Sequence, residues 1–254
     1  MSENLKTIMK TMNKATLEKF RDEYKSASGA VSKRVIVCAG TGCIANGSLA
    51  VYDALKEAVE TSGASLFVEL ELDCHDCKDK VHLSNSGCQG FCAQGPLVNI
   101  LPDETMYVKV KPEDALEIIQ KTVLGDEVID RLLYVNPANG EKSRGQLDIP
   151  FYKLQNRLVL GECGHVDPEN IREYISHNGY FAAEKAYNTM TDEQVCDNIL
   201  ESGLRGRGGG GFPTGRKWHL TRVVEADKKY VICNGDEGDP GAFMDRSLME
   251  GNPH

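Results

Sequence analysis

Two pairs of cysteines have a spacing that could gather four thiolates at one point. Cys38 and Cys43, in CAGTGC, have four residues between them, and Cys88 and Cys92, in GCQGFC, have three. Both pairs follow predicted strands and sit in loops that contain glycine. That arrangement suits an iron–sulfur cluster, because small residues let backbone N–H groups reach the sulfurs and tune them. A structural zinc site is the alternative. Zinc pairs usually span two to four residues, so Cys88 and Cys92 lie inside that range and Cys38 and Cys43 at its edge. A third pair, Cys74-His75-Asp76-Cys77, has a zinc-like gap, with His75 and His82 as candidate nitrogen donors. A surface pair without a role and a redox dithiol are its other readings, although it follows an alternating strand rather than opening a helix. Cys163, Cys196 and Cys233 stand alone.

A second chemistry-bearing stretch is LRGRGGGGFPTGRKWH, Leu204 to His219, with glycine at 206, 208, 209, 210, 211 and 215. Four consecutive glycines are costly to order, so something must need the backbone bare there. Gly206-x-Gly208-x-x-Gly211 satisfies a dinucleotide-binding pattern, but that pattern should follow a strand and here it follows a capped helix. A phosphate-binding loop of the Walker type also fails, since Gly215 is followed by Arg216 where Lys is required. What remains is a donor-rich surface beside Lys217, able to receive a flat ring or a pyrophosphate, with Phe212 and Trp218 as planar walls. Further on, KKYVICNGDEGDPGAFMDR predicts a buried strand, Tyr230 to Cys233, ending in Asn234, Asp236, Glu237 and Asp239. Polar groups at the C-terminal end of a strand are where open α/β sheets bind ligands. A solvated acidic loop and a magnesium site are the competing readings.

The elements that must position these residues are those of an α/β protein. Nothing in the net charge of -9 or the sequence pI near 5.2 supplies the basic face of a nucleic-acid binder. No apolar run reaches the ~18 residues of a membrane helix, and MSENLKTIMKTMNK does not read as a secretory signal. The expectation is a cytoplasmic protein, in which clustered cysteines more often bind metal than form disulfides. Residues 1–32 read as a helical arm, with Leu5, Ile8, Met9 and Met12 on one face and Leu17, Phe20 and Tyr24 on another. Residues 33–124 read as a strand (RVIVC), then a helix with Leu49, Tyr52, Leu55 and Val59 on one side and a stop at Gly63. An alternating strand (SLFVELEL) follows, then a hairpin around LPDET and a closing helix with Pro112 in its first turn. That order is thioredoxin-like. The polar stretch 125–150 reads as a linker, and 151–254 as a second α/β domain. In the latter, Asp167-Pro168 predicts one helix start, and Thr191 with Gln194 a capping box.

CAGTGC followed by GCQGFCAQGPLV resembles the thioredoxin-like [2Fe–2S] ferredoxin domain found in complex I and NAD-linked hydrogenases, from roughly Arg34 to Val123. The resemblance implies one [2Fe–2S] cluster held by Cys38, Cys43, Cys88 and Cys92. GRGGGGFPTGRKW and NGDEGDPGAFMDRSLMEGNPH resemble the FMN- and NADH-binding subunit of complex I and its hydrogenase relatives, from roughly Ile149 to His254. This implies that Gly206, Arg207, Gly208, Gly209, Gly210, Gly211, Phe212 and Gly215 line FMN and nicotinamide. By the same resemblance Lys217 lies near the flavin phosphate and ribityl side, and Asn234, Asp236, Glu237 and Asp239 against the flavin and the incoming nicotinamide. Gly210 and Gly235 stand where alanine is usual, Asp239 where glutamate is, and Met244 where lysine is common. These departures, and the ferredoxin domain fused in front, resemble the branch serving NAD(P)-linked, electron-bifurcating [FeFe]-hydrogenases.

The expected function is therefore an electron-transferring flavoprotein subunit, exchanging hydride between NAD(H) and FMN and passing single electrons through the [2Fe–2S] cluster. The expected partners are an [FeFe]-hydrogenase catalytic subunit, a small thioredoxin-like [2Fe–2S] subunit and ferredoxin. Because the family continues past the second motif, the chain reads as the N-terminal part of a longer subunit whose [4Fe–4S] cluster would lie downstream of His254. Rival readings are a subunit of an NAD-dependent formate dehydrogenase, a ferredoxin-type relay with a vestigial flavin half, and a zinc-stabilised interaction protein.

Overall fold

A computed structural model describes residues 13–67 and 80–254. The predicted first helical face (Leu5 to Met12), the pair Cys74 and Cys77 with His75, and the second half of SLFVELEL lie outside these residues. Contacts divide the chain into two units. The larger comprises Phe20–His177 with Asp236–His254; the smaller is Asn178–Gly235 with the chain up to Lys19.

The larger unit is built on a five-stranded sheet. KRVIVC has branched residues on both faces because the strand it forms, Lys33–Cys38 (β1), is covered on both, and Val35 through Cys38 are each at most 1% exposed. Ahead of it runs helix α1, Lys14–Ala30, on which Leu17 and Tyr24 are buried and Phe20 half-buried. After β1 come a short helix, Thr41–Ala45 (α2), and a longer one, Ser48–Ser62 (α3), which stops at Gly63 as the sequence predicts. The face expected of α3 is corrected. Ser48, Val51, Leu55, Ala58 and Val59 are its buried positions, whereas Leu49 is 46% exposed. Both stripes share Leu55 and Val59, and packing selects the one carrying Val51.

The sheet runs in the order β2-β3-β1-β4-β5, where β2 is Ser65–Phe67, β3 Lys80–Ser86, β4 Val98–Leu101 and β5 Thr105–Tyr107. β1 pairs in parallel with β3, Lys33 opposite Val81 through Cys38 opposite Ser86, and antiparallel with β4. The expected hairpin is β4 and β5. β3 is a central strand to which sequence reasoning gave no range, although it read Cys88 and Cys92 as following a strand. KVHLSNS sends Val81 and Leu83 into the core and buries His82, Ser84 and Ser86 as well, so three of its five buried positions are polar. The closing helical stretch opens at Pro112 and continues through Ala115–Glu117 (α4) and a wider turn to Val123, with Ala115, Ile118, Ile119 and Val123 in the core.

Residues 125–150 are packed rather than free-running. Ile129, Leu132 and Leu133 join the main core, and Tyr134–Val135 (β6) pairs with Lys142–Ser143 (β7). Helix α5, Pro150–Lys153, follows, and then α6, Ile171–Ser176. The helix start expected at Asp167-Pro168 is displaced to Asn170, whose side chain accepts from the N–H groups of Arg172 and Glu173. Asp167 turns its carboxylate to the Glu169 N–H instead, closing a local turn ahead of the helix.

In the smaller unit, α7 (Phe181–Thr189) precedes α8 (Asp192–Glu201), which begins with the predicted capping box: Thr191 Oγ1 accepts from Gln194 N–H at 3.2 Å. Helix α9, Thr214–Arg222, lies against α8, held by Arg222 to Glu193 at 3.1 Å. Their approach is so close that a Cβ on Gly215 would stand 2.3 Å from the Leu200 nitrogen. The buried strand expected at Tyr230 to Cys233 is corrected: the segment is irregular, with Tyr230 78%, Val231 100% and Ile232 86% exposed. No strand among the described residues pairs with it, and an unpaired strand cannot satisfy its backbone or bury a face. The last helix, α10, is Met244–Gly251 in the larger unit. No helix of the described residues is long and apolar enough to cross a membrane.

Candidate metal centre and ligand loop

Parallel pairing decides where the four cysteines go. β1 and β3 end together at Cys38 and Ser86, so the loops that follow them leave the same end of the sheet. The first carries Cys43 on α2; the second carries Cys88 and, on a 3-10 turn Cys92–Gln94, Cys92. The Sγ atoms of Cys88 and Cys92 are 3.8 Å apart, and Cys38 is in thiol contact with both Cys43 and Cys88. Exposure rises across the group: Cys38 and Cys43 are buried, Cys88 is half-buried and Cys92 exposed. All four are free thiols.

Glycines make this convergence possible. A Cβ on Gly95 would stand 2.5 Å from the Cys43 sulfur, one on Gly42 2.9 Å from Cys92 Cβ, and one on Gly40 2.7 Å from Cys88 Cα. Backbone N–H groups face the sulfurs as the loop composition suggests: Gly90 donates to Cys88 at 3.4 Å, Gln89 to Cys38 and Leu97 to Cys43. The proton economy is that of a crowded site. Donating its S–H to Cys43 holds the Cys38 thiol up at about 12, and accepting that bond pulls Cys43 down. Cys88 is raised by its bond to Cys38 and by burial, and Cys92 by burial. Four thiolates this close repel unless a cation neutralises them, which is what bound iron supplies. Among the described residues no three His, Cys, Asp or Glu side chains are set around a single-ion position; a binuclear cluster takes its four thiolates two to each iron. The residues present fit such a cluster.

An apolar wall backs the group. Leu97, Met106, Val108, Ile149 and Tyr152 pack with Cys38 and Cys43, and Phe91 covers them, stacked on Phe151 at 4.7 Å. Sequence reasoning named none of these. Ile149, Phe151 and Tyr152 lie more than fifty residues from the nearest of the four cysteines, and no local periodicity points to them.

In the smaller unit the glycine run forms a closed loop between two helices. Gly206 N–H donates to Phe212 O at 2.9 Å and Thr214 N–H to Leu204 O at 2.9 Å, so its ends are pinned while its middle stands exposed. Gly209 and Gly211 have φ of +93° and +60°, a conformation that favours glycine. Gly208 and Gly210 have no such need, and a Cβ at either would meet nothing within 4 Å. The chain itself gives no reason for glycine at these two positions; a flat ligand lying on the loop would. Phe212 (46% exposed) carries the Arg216 guanidinium over its ring at 5.9 Å, Trp218 is 45% exposed, and Arg207 and Lys217 are exposed beside the run. Gly215 serves the helix contact described above. These features fit one wall of a planar-ligand site.

Asn234 is exposed in the smaller unit, and Asp236, Glu237 and Asp239 belong to the larger. Glu237 accepts from the Asp245 N–H at 2.6 Å, in the first turn of α10, while Asp236 and Asp239 are exposed.

Two segments of the chain match known families. Residues 18–123 match the thioredoxin-like [2Fe–2S] ferredoxin family, and residues 199–254 the Nuo51 FMN-binding domain of the complex I 51 kDa type. The NADP-reducing hydrogenase subunit HndC of Solidesulfovibrio fructosivorans is 52% identical over 102 residues, 40% of this chain and 20% of that protein. The NAD-reducing hydrogenase HoxS subunit alpha of Cupriavidus necator is 30% identical over 220 residues, 87% of this chain and 33% of that one. The chain thus spans a fifth to a third of these relatives. Among solved structures, the thioredoxin-like [2Fe–2S] ferredoxin of Aquifex aeolicus is 30% identical, covering 42% of this chain and 100% of its own, with a TM-score of 0.33. With four thiols at one end of a thioredoxin-like sheet and a bare glycine loop in the same polypeptide, the chain joins a segment matching the thioredoxin-like [2Fe–2S] ferredoxin family to one matching the Nuo51 FMN-binding domain, and is similar to subunits of NAD(P)-reducing hydrogenases.

Proposed function

We propose that this chain is the cluster-bearing and flavin-contacting part of a subunit that moves electrons between NAD(H) and a hydrogenase in the cytoplasm. The observation that carries the proposal is the convergence of Cys38, Cys43, Cys88 and Cys92, with glycines at 40, 42 and 95 leaving no room for a side chain between them. When bound, FMN supplies two-electron exchange with a nicotinamide and the [2Fe–2S] cluster one-electron transfer, so the polypeptide needs no general base.

The chain's own residues bind, orient and insulate. Cys38, Cys43, Cys88 and Cys92 would hold the cluster, with the Gln89, Gly90 and Leu97 N–H groups donating to sulfur and so favouring the reduced state. Leu97, Met106, Ile149 and Tyr152 keep water from the buried side, leaving Cys92 as the exposed edge toward an electron partner. Gly206, Gly208, Gly209, Gly210 and Gly211 would offer FMN a surface without side chains, and Phe212 a ring edge. Arg207 and Lys217 would supply positive charge to its phosphate, and Gly215 keeps α9 close enough to α8 to hold the loop. Asn234, Asp236, Glu237 and Asp239 are proposed to meet the flavin and nicotinamide. The proposed partners are an [FeFe]-hydrogenase catalytic subunit, a small thioredoxin-like [2Fe–2S] subunit and ferredoxin; the glycine at 210 and aspartate at 239 support the bifurcating branch. HndC and HoxS alpha, named as NADP- and NAD-reducing hydrogenase subunits, support a hydrogenase over a formate dehydrogenase.

Anaerobic purification tests the centre. The chain should be coloured and carry about two irons, and Cys88→Ser should bleach it while Cys74→Ser should not. A colourless protein with stoichiometric zinc would end the proposal. For the loop, FMN titrated into the chain should lose fluorescence, and Gly210→Val, whose Cβ meets nothing within 4 Å, should abolish that quenching.

A further inference from the structure

We propose that Arg157 raises the reduction potential of the [2Fe–2S] cluster by holding a fixed positive charge against the backbone of the Cys88 ligand; the proposal rests on the cluster assignment above. Arg157 follows α5 in an irregular stretch of the larger unit and is half-buried. Its Nη1 lies 3.3 Å from the Gln89 carbonyl oxygen, and its Nη2 lies 3.5 Å from that of Cys88 and 3.3 Å from that of Cys163. Three carbonyls, two of them from the cysteine loop itself, thus converge on one guanidinium. The group is charged at every working pH and has no acceptor to complicate its role.

Among the described residues no carboxylate forms an ion pair with Arg157; the nearest acid along the chain, Glu162, bonds His177 Nδ1 at 2.8 Å instead. Gln89 and Cys163 are each 1% exposed, so much of the path from the guanidinium to the cluster loop runs through protein rather than water. Covalent geometry puts the Cys88 sulfur within about 10 Å of the guanidinium carbon. Reduction adds one electron, from dithionite in a titration, converting one Fe(III) to Fe(II) and making the cluster one unit more negative. A cation at that range favours the reduced form on the order of tenfold at an effective dielectric constant of about 20.

The loop does not depend on Arg157 for its shape. The Gln89 side chain donates to Ser86 Oγ at 3.3 Å and accepts from Asn99 at 3.0 Å, and Gly87 lies against Gly251 so closely that a Cβ there would be 2.3 Å from the Gly251 Cα. Removing the guanidinium therefore removes charge and leaves the ligand where it is.

Redox titration of the reconstituted or natively loaded chain, followed by EPR, decides the matter. Arg157→Gln should lower the midpoint potential by about 59 mV, the equivalent of a tenfold change for one electron. Arg157→Lys should keep most of the wild-type value, iron content and EPR line shape should hold in both, and the shift should be the same on either side of neutral pH. An unchanged midpoint in Arg157→Gln overturns the proposal, as does a Lys variant that falls as far as the Gln variant. Loss of the cluster in Arg157→Gln, with wild type loaded normally, makes Arg157 a structural clamp and also overturns it. A wild-type protein with no [2Fe–2S] signal at all would instead overturn the cluster assignment.

Discussion

Three missing side chains matter as much to the proposed metal centre as the four thiols do. Gly40, Gly42 and Gly95 each face a cysteine at a distance no Cβ tolerates, and at Gly95 the obstructed atom is the Cys43 sulfur itself, 2.5 Å away. Gly95→Ala should therefore lower iron content to less than half of wild type, read from visible absorption per polypeptide. Gly29→Ala, where a methyl meets nothing within 4 Å, should leave iron content unchanged. Equal iron in the two variants would show that the loops yield and that the glycines are incidental. The cysteines themselves were legible in the sequence, because thiols are rare and their pair spacing constrains ligand geometry. The glycines around them were legible only as a tendency: which one abuts which sulfur depends on loops brought together across the sheet. In the ligand loop the reverse holds. There the structure separates Gly209 and Gly211, which the backbone requires, from Gly208 and Gly210, which it does not.

Strand β3 carries the cost of building a sheet whose second face is polar. His82 is 2% exposed, and burial, with the Arg34 charge adding to it, pushes its pKa from 6.5 down to about 3. A neutral buried imidazole contributes stability that is complete above the unfolded pKa of 6.5 and is lost as pH falls toward the folded value of about 3. The slope is at most about 1.4 kcal/mol per pH unit. Urea midpoints measured between pH 7 and pH 5 should fall for the wild-type chain and fall less steeply for His82→Leu, which cannot titrate. Parallel curves would mean that His82 protonates without unfolding anything. The same strand shows where sequence patterning fails. β1 and the β4–β5 hairpin announce themselves through branched and aromatic residues, whereas KVHLSNS buries serine and histidine alongside valine and leucine, and burial of polar groups leaves no alternating signal. Helix α8 stands at the other extreme, since its capping box is a local device that works wherever the sequence places it.

At the scale of the whole chain, the two cofactor sites differ in how much of themselves the chain provides. All four cluster thiols, their glycine spacers and their apolar wall lie within one unit. The ligand loop has its glycine surface and its helix, but Tyr230, Val231 and Ile232 are exposed and no sheet of the described residues covers them. Tight cofactor binding needs burial of most of the ligand. The 254-residue chain should accordingly purify with its [2Fe–2S] absorption, with FMN well below one per chain, and without NADH-driven dye reduction. Stoichiometric FMN that NADH bleaches would show that the loop suffices as it stands.

The sequence by itself pointed to the chemistry: two cysteine pairs, a glycine run, a thioredoxin-like order of elements, and the capped helix that leads into the run. These are local properties, set by residue type, spacing and caps within a few turns of chain. Tertiary structure alone decided the rest. It placed β3 beside β1 and so brought Cys88 to Cys38; it drew Ile149, from the stretch that reads as linker, and Phe151 and Tyr152, from the start of the second domain, into the wall beside the four thiols. It chose Val51 over Leu49, set Arg157 against the Cys88 carbonyl, and left Tyr230 to Cys233 unpaired. Each of those outcomes turns on contacts between segments far apart in the chain, and the free energy of such contacts is a property of the assembled surfaces rather than of any window of sequence.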